Sequence, residues 1–180
     1  GVNMSSKEKV ENVDYKYKGK IVNLRVDQVL TPNGNKAERE IVEHPGGVTV
    51  LAITEDNKIL MVEQYRNPVD EFLLELPAGK LEKGEDPYDC AYRELIEETG
   101  YQAGNMEKLF SFHTTPGFCD EFLHLYIARD LKEVGVDPDD DEIIVNHQIE
   151  KSDILKMIES GKIKDGKSVI GLLYFLAGVN

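Results

Sequence analysis

Apolar and polar positions alternate from Tyr15 to Val29, at Ile21, Val22, Leu24, Val26 and Val29. After the turn Pro32-Asn33-Gly34-Asn35 a second strand-like run extends from Ala37 to Glu43. This predicts an N-terminal β hairpin or meander, closed by the breaker His44-Pro45-Gly46-Gly47. Val48 to Ile53 and Lys58 to Tyr65 read as two strands around the turn Glu55-Asp56-Asn57. Phe72 to Leu76, Lys108 to His113 and Glu121 to Ala128 supply further strands. Asp137-Pro138-Asp139-Asp140-Asp141-Glu142 is an acidic loop. Two C-terminal helices are expected, Ser152 to Ser160 and Ser168 to Ala177, the second apolar nearly all round and therefore buried. Strands and helices in irregular alternation point to an α+β fold instead of a regular parallel sheet. The organisation that follows is a small antiparallel β subdomain over 1–44 and a main domain over 45–180.

Between the strands lies GKLEKGEDPYDCAYRELIEETG, residues 79–100, which carries seven acidic side chains. Asp86-Pro87 opens a helix, since Asp caps free N–H groups and proline is tolerated in the first turn. Gly100 is a natural stop. At about 100° per residue, a helix over 87–99 gathers Glu94, Glu97 and Glu98 on one side. Tyr88, Tyr92, Leu95, Ile96 and Thr99 are expected to form the opposite, packing side. Three glutamates at this spacing repel by a few tenths of a kcal/mol per pair on a solvated helix, and only Arg93 is near enough in sequence to offset them. A generic glutamate-rich helix is simply solvated, but hard oxygens on a rigid helix beside a glycine loop are also what Mg²⁺ or Mn²⁺ requires.

Composition narrows the choice. With 41% apolar and 31% charged residues in 180, the chain is that of an ordinary globular protein, and its longest apolar run, Val169 to Val179, is too short to span a bilayer. The N-terminal residues lack the apolar stretch of a signal peptide, and Met4 fits a native start behind a short remnant, so a cytoplasmic location is expected. A formal net charge of −13 argues against nucleic-acid binding. An anionic substrate would need a cation held by carboxylates to offset the repulsion. Cys90 and Cys119 have no metal-ligand spacing and read as reduced thiols. His44, His113, His124 and His147 suggest no zinc site.

The spacing is specific. Gly79, five residues, Glu85, seven residues, Arg93-Glu94-Leu95, one residue, Glu97-Glu98, one residue, Gly100 resembles the Nudix box; Tyr101 departs from the aliphatic residue usual at the next position, which touches packing alone. The resemblance implies the Nudix fold, a mixed sheet sandwiched by helices (α/β/α), and hydrolysis of a nucleoside diphosphate linked to another moiety. It implies Glu94 and Glu98 as principal metal ligands, Glu97 as a further one, and Ala78 as a ligand through its carbonyl. Arg93 and Glu85 become orienting partners, and roughly two or three divalent ions, Mg²⁺ or Mn²⁺, polarise the pyrophosphate and activate water.

Thr114-Thr115-Pro116-Gly117 places a proline sixteen residues after Gly100, and this resembles the ADP-ribose pyrophosphatase group of that family. The likeness extends through Arg39-Glu40, Glu63-Gln64-Tyr65-Arg66, Leu74 to Lys80 and Pro116-Gly117-Phe118. It implies Arg66 as the grip on the pyrophosphate, for which a guanidinium fork is suited. Arg39 and Glu40 would contact adenine or ribose from the N-terminal subdomain, with Pro116 and Gly117 beside the substrate. Glu142 of the acidic loop would be the general base, Asp139 or Asp141 being the alternatives. The group also implies a homodimer with exchanged N-terminal strands, which suits a β segment too small to hold its own core. The competing readings are a hydrolase of another nucleotide sugar such as GDP-mannose, and a non-catalytic nucleotide-sugar sensor.

Overall fold

A computed structural model describes residues 7–135 and 144–178. It divides into two compact units, one reaching Gly46 and including His113–Phe122, the other comprising Gly47–Phe112 and the chain from Leu123 onward.

The first unit holds an antiparallel sheet in the order β1 (Lys9–Lys18), β2 (Asn23–Leu30), β3 (Lys36–Glu43). The alternation noted from Tyr15 to Val29 is split between β1 and β2 by a turn at Gly19, whose N–H donates to the Val22 carbonyl at 3.0 Å. Strand β1 starts at Lys9, six residues before the alternation that announced it, because its apolar residues do not keep a period of two. Two bulges explain this: the register slips between Val10 and Asn12 and again between Tyr15 and Tyr17. The first slip places Val10, opposite Val29, on the same face as Val13, opposite Asp27; the second turns Tyr17 to the other face. The segment after β8 belongs to this unit as well: Val42 and Cys119 form a parallel bridge, and the His44 N–H donates to Asp120 Oδ1 at 2.7 Å.

The second unit is built on a mixed sheet of β4 (Gly47–Ile53), β5 (Ile59–Arg66), β6 (Glu71–Glu75), β7 (Ala78–Lys80), β8 (Tyr101–His113), β9 (Phe122–Glu133) and β10 (Val145–Ile149). The order is β10-β5-β4-β9-β8, with β6 beside β5 and β7 beside β4. Strand β4 pairs parallel with β9 and antiparallel with β5 and β7. Every residue of β4 is buried, as a central strand covered on both faces requires. Its side chains alternate between two cores. Val48, Val50 and Ala52 pack with Cys90, Ala91 and Leu95 of α1 (Pro87–Thr99). Leu51 and Ile53 pack with Ile154 of α2 (Lys151–Glu159) and Leu172 of α3 (Gly166–Leu176). The α/β/α sandwich expected from the sequence is therefore present. Strand β8 begins at Tyr101 and not near Lys108, because Gln102, Gly104 and Asn105 disguise its first half as loop; Gly104 is needed there, since a Cβ would meet Asp130 Cβ at 2.9 Å.

Helix α1 has the predicted ends. Asp86 Oδ1 accepts from the Tyr88 N–H at 2.8 Å, Pro87 follows, and Gly100 at φ 73° donates to the Ile96 carbonyl. Its packing face differs from expectation. The buried residues are Cys90, Ala91, Leu95, Glu98 and Thr99, while Tyr88 is exposed and Tyr92 and Ile96 lie at the edge. Glu98 stands three residues from Leu95 and seven from Ala91, so it falls on the same stripe. It is an inward carboxylate, 5% exposed, and not part of a solvated acidic face.

Candidate active site

Two of the expected metal ligands on α1, Glu94 and Glu98, meet the backbone of β7 at Ala78 and Gly79. Glu98 Oε2 accepts from the Ala78 N–H at 2.9 Å, and Gln64 Nε2 of β5 donates to Glu98 Oε1 at 3.4 Å. Glu94 lies against the next residue: a Cβ on Gly79 would stand 1.8 Å from Glu94 Cδ and 1.9 Å from Oε1. Gly79 is thus a glycine because a carboxylate occupies the space its side chain would fill. Two anionic side chains, one turn apart on α1, abut the Ala78-Gly79 backbone.

Arg93 ties the rest together. Its Nε and Nη2 donate to Glu85 Oε1 and Oε2 at 3.0 and 3.2 Å, and its Nη1 donates to Glu94 Oε1 at 2.9 Å and Glu97 Oε2 at 2.7 Å. Glu85 also accepts from the Glu82 N–H at 2.9 Å, which fixes the loop before the helix. The Arg93 guanidinium holds the Glu85 carboxyl down at about 2, and in turn Glu85 raises Arg93 well above its ordinary value. One arginine therefore offsets three carboxylates. Beside it, Cys90 is fully buried and its thiol is pushed up to about 12, mainly by burial, with Glu85 adding to the effect.

The donor set fits a divalent cation in chemistry: hard carboxylate oxygens on one rigid helix beside the half-buried backbone of β7. Among the described residues, however, no three acidic, histidine or cysteine side chains stand as a ready cage. Glu97 is turned to Arg93 and shares that guanidinium with Glu94.

Arg66, at the end of β5, forms a two-pronged ion pair with Glu75 of β6, Nε to Oε1 and Nη2 to Oε2 both at 2.8 Å. Glu75 is 1% exposed and is also bound by Lys167, whose ammonium lies 3.0 Å from Asp165 Oδ2 at the start of α3. Burial works against ionising Glu75, but Arg66 and Lys167 outweigh it and leave its pKa lowered. Glu75 raises Arg66 in return, and Glu98 contributes to the same field. Nη1 of Arg66 has no hydrogen-bond partner among the described residues, so one prong remains for an anion. Gln64, Glu75 and Lys167 had no assigned role from the sequence. Lys167 could not be found that way, because 92 residues separate it from Glu75.

The other sequence-predicted residues sit in the first unit. Arg39 and Glu40 are exposed on β3; Arg39 pairs with Glu8, and its Nη1 donates to the Glu38 carbonyl at 3.0 Å. As neighbours on a strand they point to opposite faces of the sheet. Pro116 and Gly117 lie in an exposed turn closed by Phe118 N–H to the Thr115 carbonyl at 3.1 Å. Glu142, with Asp139 and Asp141, lies outside the described residues.

A NUDIX domain model matches residues 43–164. The chain belongs to the Nudix family. It is 49% identical over 93% of its length to a methanol dehydrogenase activator of Bacillus methanolicus, covering 91% of that protein. It is 43% identical over 94% of its length to an ADP-ribose pyrophosphatase of Bacillus subtilis (strain 168), covering 93% of it. A GDP-mannose pyrophosphatase of Yersinia enterocolitica is more distant, 34% identical over 81% of this chain and 82% of its own. In three dimensions the chain resembles an ADP compounds hydrolase with a TM-score of 0.85, at 19% identity, covering 96% of this chain and 94% of the other; that likeness speaks to the fold.

Proposed function

We propose that this Nudix protein hydrolyses the pyrophosphate bond of ADP-ribose, giving AMP and ribose 5-phosphate. The observation that carries the reading is the seating of Glu94 and Glu98 against Ala78-Gly79, with Arg93 holding Glu94 and Glu97 from the other side. The likeness to the ADP-ribose pyrophosphatase of Bacillus subtilis supports the substrate. Glu94, Glu98 and the Ala78 carbonyl, with Glu97 as a further ligand, would hold Mg²⁺ or Mn²⁺, roughly two or three ions. Bound there, the ions supply Lewis acidity toward the phosphates and lower the pKa of the attacking water.

The chain's own groups do the remainder. Glu85 and Arg93 keep the helix carboxylates aimed. Gln64 and the Ala78 N–H keep the Glu98 carboxyl directed. Arg66, braced by Glu75 and Lys167, offers its remaining prong to the pyrophosphate. Glu142 accepts the proton of the attacking water, because carboxylates bound to a cation are poor bases. Arg39 and Glu40 of the 1–44 subdomain, with Pro116 and Gly117, serve the nucleoside or terminal ribose. A homodimer is the proposed assembly: Val10, Val13 and Tyr15, on one face of β1, are all exposed, a set of apolar side chains that a second copy would cover. A cytoplasmic location is proposed with it; no described helix is long and apolar enough to cross a membrane.

The test is a panel of ADP-ribose, GDP-mannose and related nucleotide sugars with Mg²⁺ and product identification. AMP with ribose 5-phosphate from ADP-ribose is expected; faster turnover of GDP-mannose, or ADP with free ribose as products, overturns the reading. A second reading follows from the 49% identity to the Bacillus methanolicus protein, whose name is that of a dehydrogenase activator. It predicts that adding this chain raises the rate of a methanol dehydrogenase, which the same preparation can test.

A further inference from the structure

Away from the box lies a cavity of about 780 Å³ bordered by the turn between β4 and β5, the strands β8 and β9, and the helices α2 and α3. It is remote from Gly79 along the sheet. Gly79 lies across from Val48 while Ala128 lies across from Ala52, four residues further along β4, so at about 3.3 Å per residue the two ends stand ~13 Å apart. It also opens on the other face: Leu109, Ile127 and Phe175 of its lining pack with the α2–α3 core, whereas α1 covers the opposite core.

Its lining combines an apolar floor with two cations. Arg129 is half-buried, one residue after Ala128, and its guanidinium has no hydrogen bond or ion pair among the described residues. With no protein partner among the described residues, its donors are available to an anion entering the cavity. The Lys151 ammonium sits 4.4 Å over the centre of the Phe175 ring, which places a second positive charge at the rim. The acid of the lining, Glu107, is engaged with the Asn105 amide at 3.3 Å. In a chain of net charge −13, most surface repels anions, so two cations gathered over an apolar floor mark a local exception. The volume is within the range of small-molecule sites.

The geometry points to a second ligand site here, for a phosphomonoester that carries a ring, of mononucleotide size. Arg129 and Lys151 take the phosphate, and the ring lies on Leu109, Ile127 and Phe175, with the Asn57 amide at the edge. The inference does not depend on the hydrolytic reading, since it uses none of the box residues.

Titration calorimetry of the full chain in EDTA tests it, with AMP, adenosine and inorganic phosphate as probes. AMP is expected to saturate, with adenosine and phosphate each weaker by tenfold or more. Arg129→Gln and Lys151→Gln should each weaken AMP by about fivefold or more, while Arg66→Ala leaves this binding unchanged. Melting curves check that the variants are folded, and amide shifts near Arg129 and Lys151 in NMR spectra locate the site in the wild type whatever the variants do. No saturable AMP binding, or binding lost with Arg66→Ala and kept with Arg129→Gln, overturns the site. Loss of ADP-ribose hydrolysis as an observed activity would leave this result untouched.

Discussion

Gly79→Ala separates the placing of a carboxylate from the stability of the fold. The new Cβ would stand 1.8 Å from Glu94 Cδ, 1.9 Å from Oε1 and 2.3 Å from Cγ, so the Glu94 side chain must leave its position. The obstacle is the far end of a flexible side chain and not backbone, and Gly79 is not among the positive-φ residues, so the main chain can stay. The stability terms are small and opposed. Losing the 2.9 Å bond from Arg93 to Glu94 costs about 0.5–1.5 kcal/mol, and replacing glycine by alanine returns about 0.4–1 kcal/mol through the unfolded chain. The net is within about 1 kcal/mol, a Tm change of about 4 °C or less for a domain of this size. The effect on turnover is large, because displacing a reacting-site group by about 1 Å can cost 10²-fold. Expected is a fall in kcat of about 10²-fold for ADP-ribose hydrolysis with an almost unchanged melting curve. A double-mutant cycle sharpens the test: once Glu94→Ala has removed the displaced group, adding Gly79→Ala should cost nothing further. Near wild-type turnover for Gly79→Ala, or full additivity in the cycle, would refute the argument that this glycine exists to seat Glu94.

Glu98→Gln should lower kcat by about 10²-fold or more and leave the chain folded, since an amide oxygen still accepts from the Ala78 N–H; retained activity at saturating Mg²⁺ removes Glu98 from the site. Glu85 has its pKa depressed in the folded state, so the stability it contributes is complete above pH 4.5 and is lost as pH falls toward 2. Glu85→Gln should therefore flatten the acid limb of Tm against pH in that window, and an unchanged limb denies the Arg93 linkage. Native protein at pH 8 should react with a thiol reagent at Cys119 and not at the buried Cys90, with both reacting in denaturant; two fast thiols in the native state would contradict the packing of α1. Asp86→Ala should cost about 1 kcal/mol through the lost cap to the Tyr88 N–H, read as a lower Tm.

Local chemistry was legible in the chain before any fold was known. Asp86-Pro87 and Gly100 set the ends of α1, and the box spacing named Gly79, Glu85, Arg93, Glu94, Glu97 and Glu98, because capping and helical periodicity depend on neighbours a few residues apart. What the tertiary structure decided was the direction of those groups. Periodicity placed Glu98 with the other glutamates on an open face, yet it lies on the Ala91–Leu95 stripe, and the cost of burying it is met by the Ala78 N–H and Gln64 from distant segments. The bracing of Arg66 by Glu75 and Lys167, the bulges that regroup Val10 and Val13, and an Arg129 with no partner among the described residues beside its apolar floor belong to the same class. Each depends on strand register or on partners tens of residues away, and register is a property of the assembled sheet that no local window of sequence contains.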